Sequence, residues 1–361
     1  MAHGGSEINE APRTGGVVDC DVHNTVPHLS ELFPYLPERW RDYCVEHGVQ
    51  SLETALYPPG VDFSARPEAR EEASPPGSDP EVTARHVLDR QTDVAVLNCL
   101  YAVQPIQNED WAAAMVSALN DWQAARWLAA DDRFRASIVV SLLDPVRAAE
   151  EIDRWAPNRG FVQVLLPTFT DIPLGRRRNW PIYEAAQRAR LPVAVHPAVS
   201  GGNPTTASGW PSFSLEDQIA ISGVMQSQLV SLVCEGVFQK FPELDVVLAE
   251  SGATWLPSLM WRLTKNWKAL RREIPWVTET PSEIVRRHVR LTVAPFDAPA
   301  DGATVLRLVE QIGTPDVLLY ASDYPHWHAR DAEQALLCHL SEQERAAVLW
   351  SNAAKLYRLT A

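Results

Sequence analysis

The stretch VVDCDVH, residues 17–23, is the first of eight short runs rich in Val, Ile and Leu, and these runs decide the fold. The others are 94–99 (VAVLNC), 136–142 (ASIVVSL), 161–166 (FVQVLL), 192–196 (PVAVH), 245–250 (DVVLAE), 289–294 (VRLTVA) and 317–322 (VLLYAS). Near-continuous apolar character over so few residues is typical of parallel strands that are covered on both faces. Segments with the apolar spacing of helices lie between them: 111–130, 145–156, 180–190, 215–240, 253–272 and 301–313.

This alternation of strands and helices predicts a closed barrel. Eight strand–helix pairs, with no Gly-x-Gly-x-x-Gly after the first strand, favour an α/β fold of the (β/α)8 TIM-barrel type over a doubly wound sheet. The barrel is expected to be distorted by a long insertion after the first strand, at residues 57–80, which is dense in Pro, Gly and charge. In a barrel this loop lies on the C-terminal face, where we expect it to cover an active site.

Length and composition fit one large domain. The chain has 361 residues, of which 46% are hydrophobic and 22% charged, so it can bury a sizeable core. We therefore interpret residues 1–361 as a single domain that begins with a polar tail at 1–16. The formal net charge of −14 disfavours a nucleic-acid partner.

The cysteines and the apolar pattern indicate a reducing, cytoplasmic location. The five cysteines are widely spaced without a Cys-x-x-Cys pair, which predicts neither a zinc ribbon nor a disulfide framework. The first residues have no apolar targeting segment and the chain has no long uncharged apolar run, so we expect no membrane partner. The 13 tryptophans suggest large buried contacts, and we expect a homo-oligomer or, as the alternative, a hetero-oligomer with a related chain.

Carboxylate and imidazole side chains stand at the ends of four predicted strands. Asp21 and His23 are two apart in the first strand, so they leave the same side of its backbone. His196 ends the fifth run, Glu250 closes the sixth, and Asp323 follows the eighth. In a TIM barrel these ends meet on the face that carries active sites.

Each of these residues also has an ordinary structural interpretation. Asp-x-His can cap a turn, and a single His on an apolar strand is more often a core residue than a ligand. An acid directly after an apolar strand, however, must be paired, exposed or bound to a cation. Taken together, the five positions predict a divalent-metal site at the mouth of the barrel.

The types of ligand restrict which ion the site can hold. Histidine and carboxylate ligands without thiolate suit zinc, manganese or iron and leave positions open for water and substrate. We expect zinc, with manganese and iron as alternatives. His326, three residues after Asp323, either reaches the same cavity or sits in a surface turn beside Trp327. If His326 and Glu250 both point inward, the ligands suffice for a second metal ion.

Blocks of sequence along most of the chain resemble the amidohydrolase superfamily. The likeness is to the amidohydrolase-2 branch of metal-dependent TIM-barrel enzymes, which includes those similar to aminocarboxymuconate-semialdehyde decarboxylase. The blocks are VVDCDVHNTVPHLSELFPYLPERWRDY at 17–43, GFVQVLLP at 160–167, LPVAVHP at 191–197, SLVCEGVFQKFPELDVVLAESGATWLPSLMWRLTKNWK at 231–268 and YASDYPHW at 320–327. The resemblance implies that Asp21 and His23 are the metal pair of the first strand and that His196 is the ligand of the fifth. It also implies that Asp323 binds the metal and helps to handle the proton of its water.

The chain departs from the family pattern at two positions. Many members have His-x-His or Glu-x-His in the first strand, where this chain has Asp21-x-His23. Many have a catalytic His after the sixth strand, where this chain has Glu250. A carboxylate there can act as a general base or as an extra ligand, but it cannot act as a cationic acid. These departures leave the reaction type open.

The resemblance implies a hydrolase or a carbon–carbon lyase of the decarboxylase kind. Its substrate would be a small organic acid or an aromatic catabolite, with Glu250, Asp323 and His326 as the catalytic residues. One alternative is an iron- or manganese-dependent oxygenase, which the presence of both Glu250 and His326 favours. The other alternative is a non-catalytic partner of an active homologue, in which the metal site would serve folding.

Overall fold

The computed structural model describes residues 16–52, 65–70, 74–198, 203–297, 299, 301–326 and 335–359. Eight parallel strands in these residues form one sheet in sequence order, which confirms the predicted (β/α)8 TIM barrel. The strands are β1 Val18–Val22, β2 Val94–Leu97, β3 Phe134–Val139, β4 Phe161–Pro167, β5 Val193–His196, β6 Val246–Leu248, β7 Val289–Thr292 and β8 Leu318–Leu319.

The barrel closes where β8 meets β1. The backbone N–H of Cys20 donates to the carbonyl oxygen of Tyr320 over 2.9 Å, and that of His23 donates to Tyr324 over 2.7 Å. The pairing of β1 with β2 shifts register between Asp19 and Val22, which distorts the first strand locally. These contacts bring the segment after β8 alongside the end of β1, so the first and last strands share one rim.

Helices occupy the segments between the strands and follow the last one. The α-helices are α1 Glu38–Glu46, α2 Pro80–Thr83, α3 Asp89–Gln91, α4 Glu109–Trp122, α5 Pro145–Trp155, α6 Trp180–Ala189, α7 Ser214–Cys234, α8 Val237–Lys240, α9 Leu256–Leu270, α10 Pro281–His288, α11 Gly302–Ile312, α12 Glu342–Ala346 and α13 Asn352–Tyr357. Shorter π-helical turns lie at Ala84–Leu88, Gln123–Leu128 and Ala347–Ser351. Turns of 3-10 helix lie at Leu29–Tyr35, Pro67–Ala69, Arg177–Asn179, Pro315–Val317 and Leu337–His339. None of the helices in the described part of the chain combines the length and apolar composition needed to cross a bilayer.

Local sequence explains where individual helices begin and end. Before α5, the Oδ1 of Asp144 accepts the backbone N–H of Val146 over 3.0 Å and that of Arg147 over 3.2 Å, a cap that satisfies two free donors. The predicted helical segment 215–240 is wrong in being continuous, because Gly236 at φ +79° separates α7 from α8. A side chain at position 236 would lie 2.4 Å from the Trp276 ring, so glycine is required there.

Part of the insertion at 57–80 packs on the rim near β8. The guanidinium of Arg66 donates from Nε to the carbonyl oxygen of His326 over 2.8 Å and from Nη2 to that of Ser322 over 2.7 Å. The carbonyl oxygen of Gly77 accepts the backbone N–H of Thr25 over 2.9 Å. Residues 57–64 and 71–73 of the insertion, and 1–15 of the polar tail, lie outside the described residues.

Candidate metal centre

The two candidates from the first strand lie together at the mouth of the barrel. Asp21 is the fourth residue of β1 and is fully buried, and His23 follows the strand with 7% of its surface exposed. The Nε2 atom of His23 lies 3.6 Å from the Oδ1 atom of Asp21. The two side chains therefore leave the same side of the strand end, as their spacing predicts.

The candidates from β5 and β8 complete a compact group with this pair. His196 is the last residue of β5, and its Nε2 atom lies 3.2 Å from the Oδ2 atom of Asp21. Asp323 lies four residues after β8, and the distance from its Oδ1 atom to the Nε2 atom of His23 is 2.9 Å. Asp323 has φ +54°, a left-handed conformation uncommon outside glycine. The structure thus brings together all four residues predicted as metal ligands.

Glu250 and His326 border the same group. The Oε2 atom of Glu250 lies 3.7 Å from the Nε2 atom of His196. The Nδ1 atom of His326 lies 2.9 Å from the Oδ1 atom of Asp323, and the side chain of His326 is only 16% exposed. The structure therefore places the His326 ring against Asp323, largely covered, while its role in the site stays a prediction. One atom each from His23, Glu250, Asp323 and His326 lies within 4.8 Å of the others.

Backbone carbonyls orient the two deeply placed imidazoles. The Nδ1–H of His23 donates to the carbonyl oxygen of Asn98 over 3.2 Å, and that of His196 donates to Pro197 over 2.7 Å. In both rings the Nε2 atom is then the one that faces the carboxylates. Metal-binding histidines use this arrangement, because a hydrogen bond at one ring nitrogen fixes which nitrogen offers its lone pair.

Neighbouring donor atoms in the group lie about as far apart as two ligands of one divalent cation. Two ligands that each lie about 2.1 Å from one ion are separated by about 3.0 to 3.5 Å at tetrahedral or octahedral angles. The nitrogen–oxygen separations of 2.9 and 3.2 Å are close to or within this range, and those of 3.6 and 3.7 Å are slightly longer. Nitrogen and carboxylate donors without thiolate are also the set that zinc, manganese and iron accept.

The pKa values of Asp21 and His196 are shifted toward the charged forms of both side chains, although both are buried. Burial alone would raise the pKa of Asp21, but the neighbouring His196 and His23 outweigh it and hold that pKa below its usual value. Burial alone would lower the pKa of His196, whereas the carboxylates of Asp21 and Glu250 raise it to about 9. The carboxylates thus create a strongly negative environment that stabilises a positive charge at this point.

Comparison with known proteins identifies the family. The model of the Amidohydrolase family, in its amidohydrolase-2 branch, matches residues 18–359, so the chain belongs to this family of enzymes. The chain is 26% identical over 279 residues to a gamma-resorcylate decarboxylase of Polaromonas sp., covering 72% of this chain and 80% of that protein. It is 25% identical over 286 residues to the gamma-resorcylate decarboxylase of Rhodococcus jostii, with the same coverage.

Solved structures share the fold over nearly the whole chain. An amidohydrolase from Mycobacterium avium subsp. paratuberculosis has a TM-score of 0.74 and 22% identity, covering 96% of this chain and 100% of that chain. The 5-carboxyvanillate decarboxylase of Sphingomonas paucimobilis has a TM-score of 0.69 and 22% identity, and the match covers 96% of this chain and 99% of that chain. A dihydroxybenzoic acid decarboxylase from Polaromonas sp., with bound manganese and the inhibitor 2-nitroresorcinol, has a TM-score of 0.67 and 20% identity, covering 96% and 98%.

Two residues that contact the site did not stand out in the sequence. Asn98 contacts His23 through its carbonyl, and Arg66 holds the segment that carries Asp323 and His326. Asn98 is the one strongly polar residue of the run 94–99, next to its end, and this signal, similar to the one that marked His196, could have identified it. Arg66 is one of several charged residues in the insertion, and nothing in the sequence around it sets it apart from the others.

Proposed function

We propose that this chain is a divalent-metal-dependent decarboxylase of an aromatic hydroxy acid of the resorcylate or carboxyvanillate kind. The observation that carries the proposal is the group of Asp21, His23, His196 and Asp323 at the mouth of the barrel, in which neighbouring nitrogen and oxygen donors lie 2.9, 3.2 and 3.6 Å apart. Four curated relatives are gamma-resorcylate decarboxylases, and they supply the substrate class. Manganese is the ion to test first, because the dihydroxybenzoic acid decarboxylase from Polaromonas sp. has manganese bound.

The four ligand candidates would hold the cation, with Glu250 and His326 beside it. When bound, such an ion supplies a Lewis acid that can hold oxygens of the substrate and stabilise the negative charge that develops on them. The remaining chemistry is a proton transfer. The carbon that bears the carboxylate must gain a proton before the carbon–carbon bond breaks, the bonding electrons return to the ring and carbon dioxide leaves.

The burial of Asp323 supports a role for its carboxyl group in carrying that proton. Its carboxyl group is fully buried, so a proton on it would be shielded from water and delivered to the ring carbon rather than to solvent. The Nδ1 atom of His326, 2.9 Å away and on a partly exposed ring, can return a proton from solvent to Asp323 after each cycle. Glu250 offers a second carboxylate that can accept the proton of a substrate hydroxyl.

Decarboxylation of defined acids tests this function. The protein, stripped with a chelator and reloaded with Mn²⁺, is incubated with 2,6-dihydroxybenzoate or 5-carboxyvanillate in heavy water. We expect release of carbon dioxide and one deuterium at the carbon that lost the carboxylate. Absence of product with both acids, in protein that retains manganese, would contradict the proposed reaction.

An oxygenase with two metal ions is the second candidate, and one observation favours it. His23, Glu250, Asp323 and His326 form a second donor group that overlaps the first. Oxygen consumption by iron-loaded protein, abolished under argon, would support this function, whereas product formation without oxygen would support the decarboxylase.

A further inference from the structure

Asn98 contacts both candidate ligands of the first strand. It follows β2 directly and is fully buried. Its backbone N–H donates to the carbonyl oxygen of Val22 over 2.8 Å, and its own carbonyl accepts the Nδ1–H of His23 over 3.2 Å. Its side-chain Nδ2 donates to the Oδ1 atom of Asp21 over 2.8 Å. One residue directly after β2 therefore fixes the end of β1 and two of the side chains that leave it.

The interior of the barrel fixes which way the Asn98 amide points. Its Oδ1 atom accepts the hydroxyl of Ser137 over 2.6 Å and the Nε2–H of Gln163 over 2.9 Å. The Oε1 atom of Gln163 in turn accepts the hydroxyl of Tyr357, from α13, over 2.9 Å. A flipped Asn98 amide would set its Nδ2 against the Nε2 of Gln163, donor against donor. The network therefore holds Nδ2 toward Asp21.

This arrangement gives each oxygen of Asp21 a separate partner. Oδ1 is held by the amide of Asn98, while Oδ2 faces the Nε2 atom of His196 at 3.2 Å. The hydrogen bond from His23 to the Asn98 carbonyl likewise leaves the Nε2 atom of His23 facing Asp323 at 2.9 Å. Residues that orient metal ligands in this way strengthen metal binding although they do not touch the ion.

We propose that Asn98 is a positioning residue for the metal centre, whose amide sets the carboxylate of Asp21 and whose carbonyl sets the ring of His23. This inference rests on the metal centre of the proposed function. Its consequence is that a side chain outside the ligand set controls metal affinity. A substitution of Asn98 removes the amide contact to Asp21, whereas the backbone carbonyl contact to His23 is retained.

Metal affinity in two matched variants tests the role of Asn98. Asn98→Leu replaces the amide by an apolar side chain that branches at the same carbon. Asn120→Leu serves as the control, because Asn120 is also fully buried and its amide donates to Val139 over 2.9 Å and to Glu151 over 2.8 Å. The probe is Mn²⁺ alone, titrated into chelator-stripped protein without substrate, with free ion counted by electron paramagnetic resonance. We expect Asn98→Leu to weaken Mn²⁺ binding about 10- to 100-fold and Asn120→Leu to leave it within about twofold.

A second readout separates positioning from general damage to the barrel. In protein loaded with Co²⁺, the visible absorption bands should shift in Asn98→Leu and coincide with those of the wild type in Asn120→Leu. If Asn98→Leu lacks the circular dichroism of the folded chain, Asn98→Ser carries the same expectation. Affinity for Mn²⁺ that is unchanged in the folded Asn98 variant, or no weaker than in Asn120→Leu, would overturn the role of Asn98. A wild-type chain that binds no Mn²⁺ would instead contradict the metal centre itself.

Discussion

The Oδ1 atom of Asp323 lies 2.9 Å from the Nε2 atom of His23, although 300 positions of sequence separate the two residues. The contact forms where the barrel closes, since the backbone of His23 also donates to Tyr324 over 2.7 Å. The placement of Asp323 therefore depends on how the segment after β8 is held against the end of β1. Substitutions at Arg66 and Gly77 test that dependence.

Arg66 should be needed for activity because it holds the segment that carries Asp323. Its side chain donates to the carbonyl oxygens of Ser322 and His326. We expect Arg66→Met to lower kcat at least tenfold and to reduce the free energy of unfolding by about 1 to 3 kcal/mol. Arg70→Met is the control, since Arg70 donates within the insertion, to the carbonyl oxygen of Ala65 over 2.9 Å. Equal activity of the two variants would contradict the role of Arg66.

Gly77 should be irreplaceable for a steric reason. At φ +77°, a methyl group on Gly77 would lie 2.5 Å from the carbonyl oxygen of His23. Gly48 has a similar φ of +62°, and a methyl group there would meet nothing within 4 Å among the described residues, so Gly48→Ala isolates the backbone strain, about 1 to 2 kcal/mol. We expect Gly77→Ala to lower the free energy of unfolding by more than Gly48→Ala and also to weaken Mn²⁺ binding. Chemical denaturation and metal titration of both variants measure this, and identical losses would argue against the clash.

Glu250 should carry a proton during the reaction rather than serve the fold. Its side chain is 9% exposed, and its Oε2 atom faces His196 at 3.7 Å. Glu250→Gln keeps the size but cannot accept a proton, so we expect kcat to fall about 10²- to 10⁴-fold. The exposed Glu243→Gln is the control. Wild-type kcat in Glu250→Gln would remove Glu250 from the mechanism.

His288 should make the fold sensitive to acid. Burial lowers its pKa below the ordinary value of 6.5, although a hydrogen bond to the carbonyl oxygen of Leu244 opposes the shift. The folded chain keeps this ring neutral while the unfolded chain protonates it. Its contribution to stability is therefore full above pH 6.5 and is lost as the pH falls from 6.5 toward the lowered pKa.

Urea unfolding at several pH values measures this contribution. Between pH 7 and pH 5 the free energy of unfolding should fall less steeply in His288→Gln than in the wild type. Parallel pH dependence in the two proteins would show that His288 does not contribute.

The sequence predicts the barrel well because its signals are local. Each of the eight apolar runs contains a strand or most of one. The ends of the runs differ from the ends of the observed strands by up to three residues. The residue types at those ends also predict which side chains meet, since parallel strands of a barrel share one rim. Asp21, His23 and His196 lie in or directly after their strands, so this reasoning applies to them without knowledge of the loops.

Other features depend on distant contacts that no local pattern records. Glu250 and Asp323 reach the site through left-handed backbone conformations, φ +50° and +54°, at residues that rarely adopt them. The clash that requires Gly236 comes from Trp276, 40 positions further on. The predictions of a single domain, a cytoplasmic location and a homo-oligomer remain predictions.

Metal content per chain tests the central claim most directly. Elemental analysis of freshly purified protein should find about one equivalent of manganese, iron or zinc, and His196→Ala should hold less than about a tenth of that. His288→Gln, which alters another buried histidine, should retain it. Wild-type metal content in a folded His196→Ala protein would show that the histidine at the end of β5 is a core residue and that no ion is bound at the mouth of the barrel in the way described.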